Sequence, residues 1–334
     1  MRAWIVESPG PIASGPLRLV ERPVPEPARD EILVRVVCCG VCRTDLHLAE
    51  GDLPPRRPGV TPGHQAVGEV VRAGEDVGDL APGDRVGIAW LRRTCGACRW
   101  CRRGAENLCP TPSFTGWDAD GGFAEYAVAP AAFTYRLPTD VPAESLAPLL
   151  CAGIIGYRAL RRAALPPGGR LGLYGFGSSA HLTAQLALAQ GAELYVVTRD
   201  EGGRRLASEL GAVWTGAADA RPPVPLDSAI IFAPAGELVP SALEAIGRGG
   251  TVAVAGIHLS DVPSLVYDRH LFLEKDLRSV TANTRADGAD FLRLAHRLGV
   301  SAHVVGYPFE ELDGALVDVA TGRATGSAVL RVAG

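Results

Sequence analysis

Residues 94–109 read "TCGACRWCRRGAENLC" and place Cys95, Cys98, Cys101 and Cys109 within one short stretch. The spacing is C-x2-C-x2-C-x7-C, two tight turns followed by a longer return. Four thiolates in such an arrangement suit a tetrahedral zinc ion whose coordination is closed, as a structural ion requires. An iron–sulfur cluster is the closest rival, because ferredoxin-type runs end in Cys-Pro and Pro110 does follow Cys109. The final spacing is too long for that pattern, however, and no second cysteine set completes it. Disulfides are disfavoured in a reducing compartment, where thiols serve metals or catalysis.

Three further stretches carry ligand-type or phosphate-type residues. "CCGVCRTDLH", residues 38–47, and "PGHQAVGEV", residues 62–70, offer Cys42 and His64. Taken alone, a single cysteine or histidine reads as well as packing or solvated surface. "GFGSSA", residues 175–180, gives Gly175, Gly177 and Ala180 in the pattern G-x-G-x-x-A, with Ser178 and Ser179 between them. It follows the apolar run "RLGLY" and opens a helical pattern, the context in which glycines let backbone N–H groups approach a pyrophosphate.

These residues need elements to hold them. Up to about residue 150 the chain alternates short β-like runs such as "EILVRVV" and "AVGEVV" with Gly- and Pro-rich turns, which predicts a mostly-β domain. From about 151 the pattern changes. "RLGLYGFG", "ELYVVTRD", "SAIIFAP" and "GTVAVAGI" read as strands, separated by the helical runs "SSAHLTAQLALAQGA", "GRRLASELGA" and "LVPSALEAIG". Such alternation predicts βαβ units and a parallel sheet. It fades beyond about 285, where "DGADFLRLAHRLGV" reads as a helix and "GSAVLRVAG" as a strand returning to the first domain.

Composition bounds the rest. The chain has 334 residues, 47% of them hydrophobic, with a formal net charge of −4 and Lys275 as its only lysine. Two domains fit this length. Neither a nucleic-acid partner nor an anionic membrane surface is expected from that charge. The start "MRAWIVESPG" lacks a signal-peptide pattern, and no stretch offers the roughly 18 unbroken apolar residues of a membrane span. The expectation is a cytoplasmic protein.

Six motifs in order, "GVCRTDLH", "PGHQAVGEV", "GDRVGIAWLRRTCGACRWCRRGAENLC", "GGFAEYAV", "CAGIIGYRAL" and "GFGSSA", resemble the zinc-dependent alcohol dehydrogenases of the medium-chain dehydrogenase/reductase superfamily, in particular its bacterial and yeast-like branch. The resemblance covers essentially the whole chain. It implies an α/β protein with a GroES-like mostly-β catalytic domain, residues 1–150 completed by 286–334, and a doubly wound Rossmann dinucleotide-binding domain, residues 151–285. It implies two zinc ions per subunit, a structural one on Cys95, Cys98, Cys101 and Cys109 and a catalytic one on Cys42, His64 and Cys151. Three protein ligands leave the fourth position for water or an alcohol oxygen. An alcohol held there loses its proton more readily, and hydride passes from its carbon to a nicotinamide ring.

The family's proton relay maps onto Thr44 and His47, and Asp45 resembles the carboxylate that orients the metal-binding histidine. Turn chemistry after the strand is the plain alternative for Thr44 and Asp45. Arg43 corresponds to an arginine that contacts pyrophosphate. The end of the second strand, where NAD-specific members carry a carboxylate, falls on Thr198 and Arg199, so NADP is favoured and NAD remains an alternative, with Asp200 one step further on. Six of the eight cysteines are thereby assigned, leaving Cys38 and Cys39 as packing residues. Trp90 corresponds to a bulky wall of the substrate pocket, which favours small primary alcohols and their aldehydes, with aromatic ones the alternative, and relatives are homodimers or homotetramers.

Three positions depart from the family pattern. Gln65 replaces a glutamate in "GHQ", removing a carboxylate thought to assist ligand exchange at the metal; Ile155 replaces a threonine near the nicotinamide; and Ser327 replaces an arginine that helps hold pyrophosphate. Gln65 and Ser327 are what favour an alternative reading, a catalytically weak zinc- and dinucleotide-binding protein with a sensing or scaffold role. A zinc-free quinone reductase of the same superfamily is a third reading. The intact set Cys42, Thr44, His47, His64 and Cys151 argues against both.

Overall fold

The structure is a computed structural model that describes residues 1–256 and 259–333. The chain divides into two compact units: Met1–Cys151 with Ala282–Arg293 and Ser301–Gly334, and Ala152–Thr281 with Leu294–Val300.

The first unit is organised by the strand Glu31–Val41. Its run of alternating Val and Ile side chains packs into a core with Val70, Val86, Ile88, Phe123 and Leu330. It pairs antiparallel with Ala66–Ala73, Tyr126–Pro130 and the returning strand Ser327–Arg331. The resulting seven-stranded sheet also holds Arg85–Ile88, Thr134–Arg136 and Val304–Pro308. Cys38 and Cys39 lie within the central strand at 1% and 0% exposure, where burial pushes both thiols up from their ordinary range. They are core residues.

The central strand runs directly into the helix Arg43–Glu50. The sequence offers turn chemistry here, and the structure forms a helix instead. The reason is local: the Asp45 carboxylate accepts from the N–H of Cys42 at 3.0 Å, tying off a donor at the helix start. Gly51 ends the helix in the left-handed region, at φ +92°.

In the second unit six strands lie in the order Trp214–Gly216, Glu193–Val197, Arg170–Tyr174, Leu226–Ile231, Ile246–Val254, Asp276–Ser279, all parallel. Strand order reverses at Arg170–Tyr174, and ligands of open parallel sheets bind at the carboxyl ends of strands beside such a point. Two strands of this sheet were not legible beforehand. Trp214–Gly216 is only three residues long, and in Asp276–Ser279 three of four residues are exposed, so neither shows the apolar run of a buried parallel strand. Among the described residues no helix is long and apolar enough to cross a membrane.

Candidate functional site

The strand-to-helix junction, the loop before Ala66–Ala73 and the segment before the helix Ala152–Ala163 bring Cys42, His64 and Cys151 together. One ligand atom from each lies within 4.8 Å of the others. Cys42 Sγ is 3.5 Å from His64 Nε2, which is 3.3 Å from Cys151 Sγ. Tetrahedral zinc with thiolate at about 2.3 Å and imidazole at about 2.0 Å requires a sulfur–nitrogen edge of roughly 3.5 Å. The three side chains meet that condition.

Asp45 orders this corner. One carboxylate oxygen accepts from Cys42 N–H, and the other sits 3.1 Å from Gly63 N and 3.3 Å from His64 Nδ1. A carboxylate accepts only, so Nδ1 of His64 carries a hydrogen, and in the neutral ring Nε2 turns its lone pair to the two thiols. Burial opposes charge on His64, but Asp45 and Cys42 outweigh it and push the imidazole up to about 10. Cys42 is held well above the thiol range by its hydrogen bond with Cys151 and then by burial. Such a set ionises when a divalent cation compensates the charge, releasing protons as it binds.

Thr44 and His47 stand one turn apart on the same helix, Thr44 at 9% exposure. His47 Nδ1 donates to Asp52 at 2.9 Å. Trp90 sets its ring edge-on to His64, centroids 4.9 Å apart. Behind it Phe114 stacks at 4.8 Å and Trp117 at 6.0 Å, and the Arg56 guanidinium lies 3.8 Å from the Trp117 ring. Trp90 is therefore part of an aromatic cluster at the three-ligand site. Gln65 is buried, with no hydrogen-bond partner for Nε2.

The four cysteines of the loop also converge within 4.8 Å. Cys95–Cys101 and Cys98–Cys101 sulfurs are 3.9 and 3.5 Å apart, around the roughly 3.8 Å edge of a tetrahedral four-thiolate site. Backbone N–H groups of Cys98 and Cys101 donate to the sulfurs of Cys95 and Cys98 at 3.3 and 3.4 Å and lower both thiols from their ordinary range. Stabilising the thiolate form favours cation binding. The loop is pinned by buried Glu106, whose carboxylate accepts from Arg285 Nε and NH2 at 3.0 and 2.8 Å.

In the second unit Gly175 lies at φ +87°, and a Cβ there would meet Ala233 N at 2.9 Å. Glycine is required on both counts. Gly177 caps the helix Ser178–Ala189, and a Cβ there would meet nothing within 4 Å, so space remains above the helix N-terminus, bordered by Ser178 and Ser179, with Ala180 buried behind. An open cradle at a twelve-residue helix start fits a pyrophosphate. Gly175 N–H donates to Val197 O at 2.8 Å, which fastens this turn to the end of the second strand. There Thr198 is buried and Arg199 exposed. Asp200 spends a carboxylate oxygen on Gly203 N at 2.6 Å, capping the next helix, and Arg204 donates to Thr198 O at 2.7 Å. Arg204 as a second guanidinium at this strand end was not expected; nothing in the linear pattern separates it from any helix-face arginine. Ser327 is buried at the start of its strand, Ile155 is half-buried on the helix Ala152–Ala163, and Arg43 is exposed at the start of its helix.

Residues 28–139 match the alcohol dehydrogenase GroES-like domain. The chain is 58% identical, over 99% of its length and 97% of the relative's, to a probable alcohol dehydrogenase of Mycobacterium tuberculosis. It is 35% identical to an alcohol dehydrogenase of Geobacillus stearothermophilus, over 95% of each chain. Among solved structures it is similar to a cinnamyl alcohol dehydrogenase of Sorghum bicolor, with TM-score 0.90, 27% identity, and 100% and 98% of the two chains covered. A cobalt- and zinc-bound thermostable alcohol dehydrogenase of Pyrobaculum aerophilum matches at TM-score 0.90 and 26% identity over 99% of each chain.

Proposed function

The chain belongs to the alcohol dehydrogenases of the medium-chain dehydrogenase/reductase superfamily, and from that membership we propose that it interconverts small primary alcohols and their aldehydes with NADP(H), using one zinc ion at Cys42, His64 and Cys151 and a second at Cys95, Cys98, Cys101 and Cys109. The observation that carries the reading is the three-ligand set, with sulfur–nitrogen separations of 3.5 and 3.3 Å and Asp45 behind His64. Zinc bound there supplies positive charge that polarises an alcohol oxygen and eases loss of its proton.

The remaining work belongs to the chain's own groups. Asp45 holds His64 in the tautomer that presents Nε2 to the thiols. Thr44 accepts the alcohol's proton through its hydroxyl and passes its own towards His47, which releases it to solvent. Trp90 bounds the substrate beside His64 and favours short alcohols over bulky ones. Gly175, Gly177, Ser178, Ser179 and Ala180 form the pyrophosphate cradle, with Arg43 a further contact. Thr198 and Arg199 receive the adenosine ribose. NADP is preferred because Arg199 and Arg204 supply positive charge at the strand end while Asp200 is engaged in capping a helix. A homodimer or homotetramer is supported by exposed Tyr267, Phe272 and Leu277, the last on the edge strand Asp276–Ser279.

Turnover measured across a panel of alcohols and aldehydes with both dinucleotides, on protein of known zinc content, tests the proposal. Zinc-loaded, dinucleotide-binding protein without turnover would restore the sensing or scaffold reading.

A further inference from the structure

The helix Arg43–Glu50 does not simply end; residues 51–53 close around His47. Gly51 adopts φ +92°, and the N–H groups of Gly51 and Leu53 both donate to the carbonyl of His47 at 3.0 Å. Between these two clamps Asp52 turns its carboxylate onto the imidazole, with Oδ2 2.9 Å from Nδ1. The histidine side chain is largely buried, at 16% exposure, whereas the Asp52 side chain is 52% exposed. An exposed ion pair contributes little to stability. The contact is better placed to orient a ring than to hold a fold.

We propose that Asp52 is the positioning residue of the proton path, fixing the tautomer and the orientation of His47. The inference rests on the reading above in which Thr44 and His47 carry the alcohol's proton. A carboxylate cannot donate, so the hydrogen between the two groups belongs to Nδ1 and the lone pair of the neutral ring lies on Nε2. The ring therefore takes up a proton at Nε2 and returns to the same tautomer when a proton leaves from there. No group in this path is oxidised or reduced: one O–H bond of the alcohol breaks, one N–H bond forms at Nε2, and that proton passes to water. Without the carboxylate both tautomers are populated, and the one with its hydrogen on Nε2 cannot accept from Thr44.

Asp52→Asn isolates this role, since an amide keeps the size and the contact but meets either tautomer, through its oxygen or its NH2. The expected result is a kcat for alcohol oxidation lowered roughly 5- to 10-fold, with KM within about twofold and zinc content and Tm unchanged. Imidazole 15N spectra of ring-labelled protein should show His47 as the Nδ1–H tautomer in the parent chain and as a mixture in Asp52→Asn. Asp52→Glu should restore at least half of both signals. Unchanged kcat in Asp52→Asn, a lowered kcat with an unaltered tautomer, or a loss that Asp52→Glu does not reverse would each overturn the proposal. A parent protein that turns over no alcohol overturns the functional reading instead, and the 15N comparison still decides whether Asp52 sets the tautomer.

Discussion

Asp45 Oδ1 lies 3.3 Å from Nδ1 of His64, with both side chains at 1% exposure, and the same carboxylate reaches back to the backbone of Cys42. One buried group thus orients two of the three residues that converge at the metal corner. An amide in its place keeps the shape but loses an acceptor. Asp45→Asn should weaken zinc at the Cys42–His64–Cys151 corner by about 10- to 100-fold while leaving the four-cysteine ion in place. Titration against a chromophoric chelator reads the two ions separately.

The two proposed zinc ions should be separable by mutation. Cys98→Ala removes a sulfur that accepts from Cys101 N–H and neighbours Cys101 Sγ at 3.5 Å, so the protein should retain one zinc per subunit and melt at lower temperature. Cys42→Ala should lose the other zinc and all turnover with the fold retained. Elemental analysis beside circular dichroism checks both.

Dinucleotide choice should follow Arg199. Arg199→Ala is expected to raise KM for NADP about tenfold and leave NAD nearly unchanged, because only NADP carries the 2′-phosphate. Tighter NAD than NADP binding by the unmodified protein, measured calorimetrically, would show that Asp200 leaves its helix cap to meet the ribose.

Gln65 sits where Gly40 leaves room for it: a Cβ at residue 40 would lie 2.7 Å from the Gln65 side-chain oxygen. Its Nε2 is buried without a partner. Gln65→Glu would put a charge in that enclosure, and a stability loss of about 1–3 kcal/mol follows. Gln65→Met removes the orphaned amide at similar volume and should be neutral or stabilising. Thermal unfolding of the two variants at neutral pH, with zinc content matched, separates these effects.

Asp313 has a buried Oδ1 with no hydrogen-bond partner, and burial holds its carboxyl above the usual range. The folded state therefore binds this proton more tightly than the unfolded chain does. Its contribution to stability is present at low pH and lost as pH rises through the folded value. Asp313→Asn should raise Tm at pH 7, and the difference should vanish below about pH 3.9, where the aspartate is protonated in both states. Melting curves at the two pH values decide it.

Much of this protein was legible in the linear sequence because the relevant signals are local. The four cysteines are spaced by turns, so Cys95 to Cys109 announce a metal loop without any tertiary information. Gly175 and Gly177 follow a strand pattern and precede a helix pattern, a signal held within a few residues, although the contact with Ala233 that excludes a side chain at Gly175 is tertiary. The parallel sheet was announced by periods of apolar strands and amphipathic helices, except at Trp214–Gly216 and Asp276–Ser279, which are short or solvated and carry no period.

What only the tertiary structure decided is what depends on separation along the chain. Spacing alone could not join Cys42 to His64 and Cys151, which are 22 and 109 residues away from it; resemblance implied the set, and the packing of one strand end, one loop and one helix start makes the sulfur–nitrogen distances fit a metal. The helix at Arg43–Glu50 escaped the local reading because Thr44 and Asp45 favour turns as readily as helix starts, and the cap that selects the helix also depends on Asp45 being held by Gly63 and His64. Asp52 was equally invisible: a carboxylate beyond a glycine has no period, and only the backbone's turn at Gly51 aims it at His47.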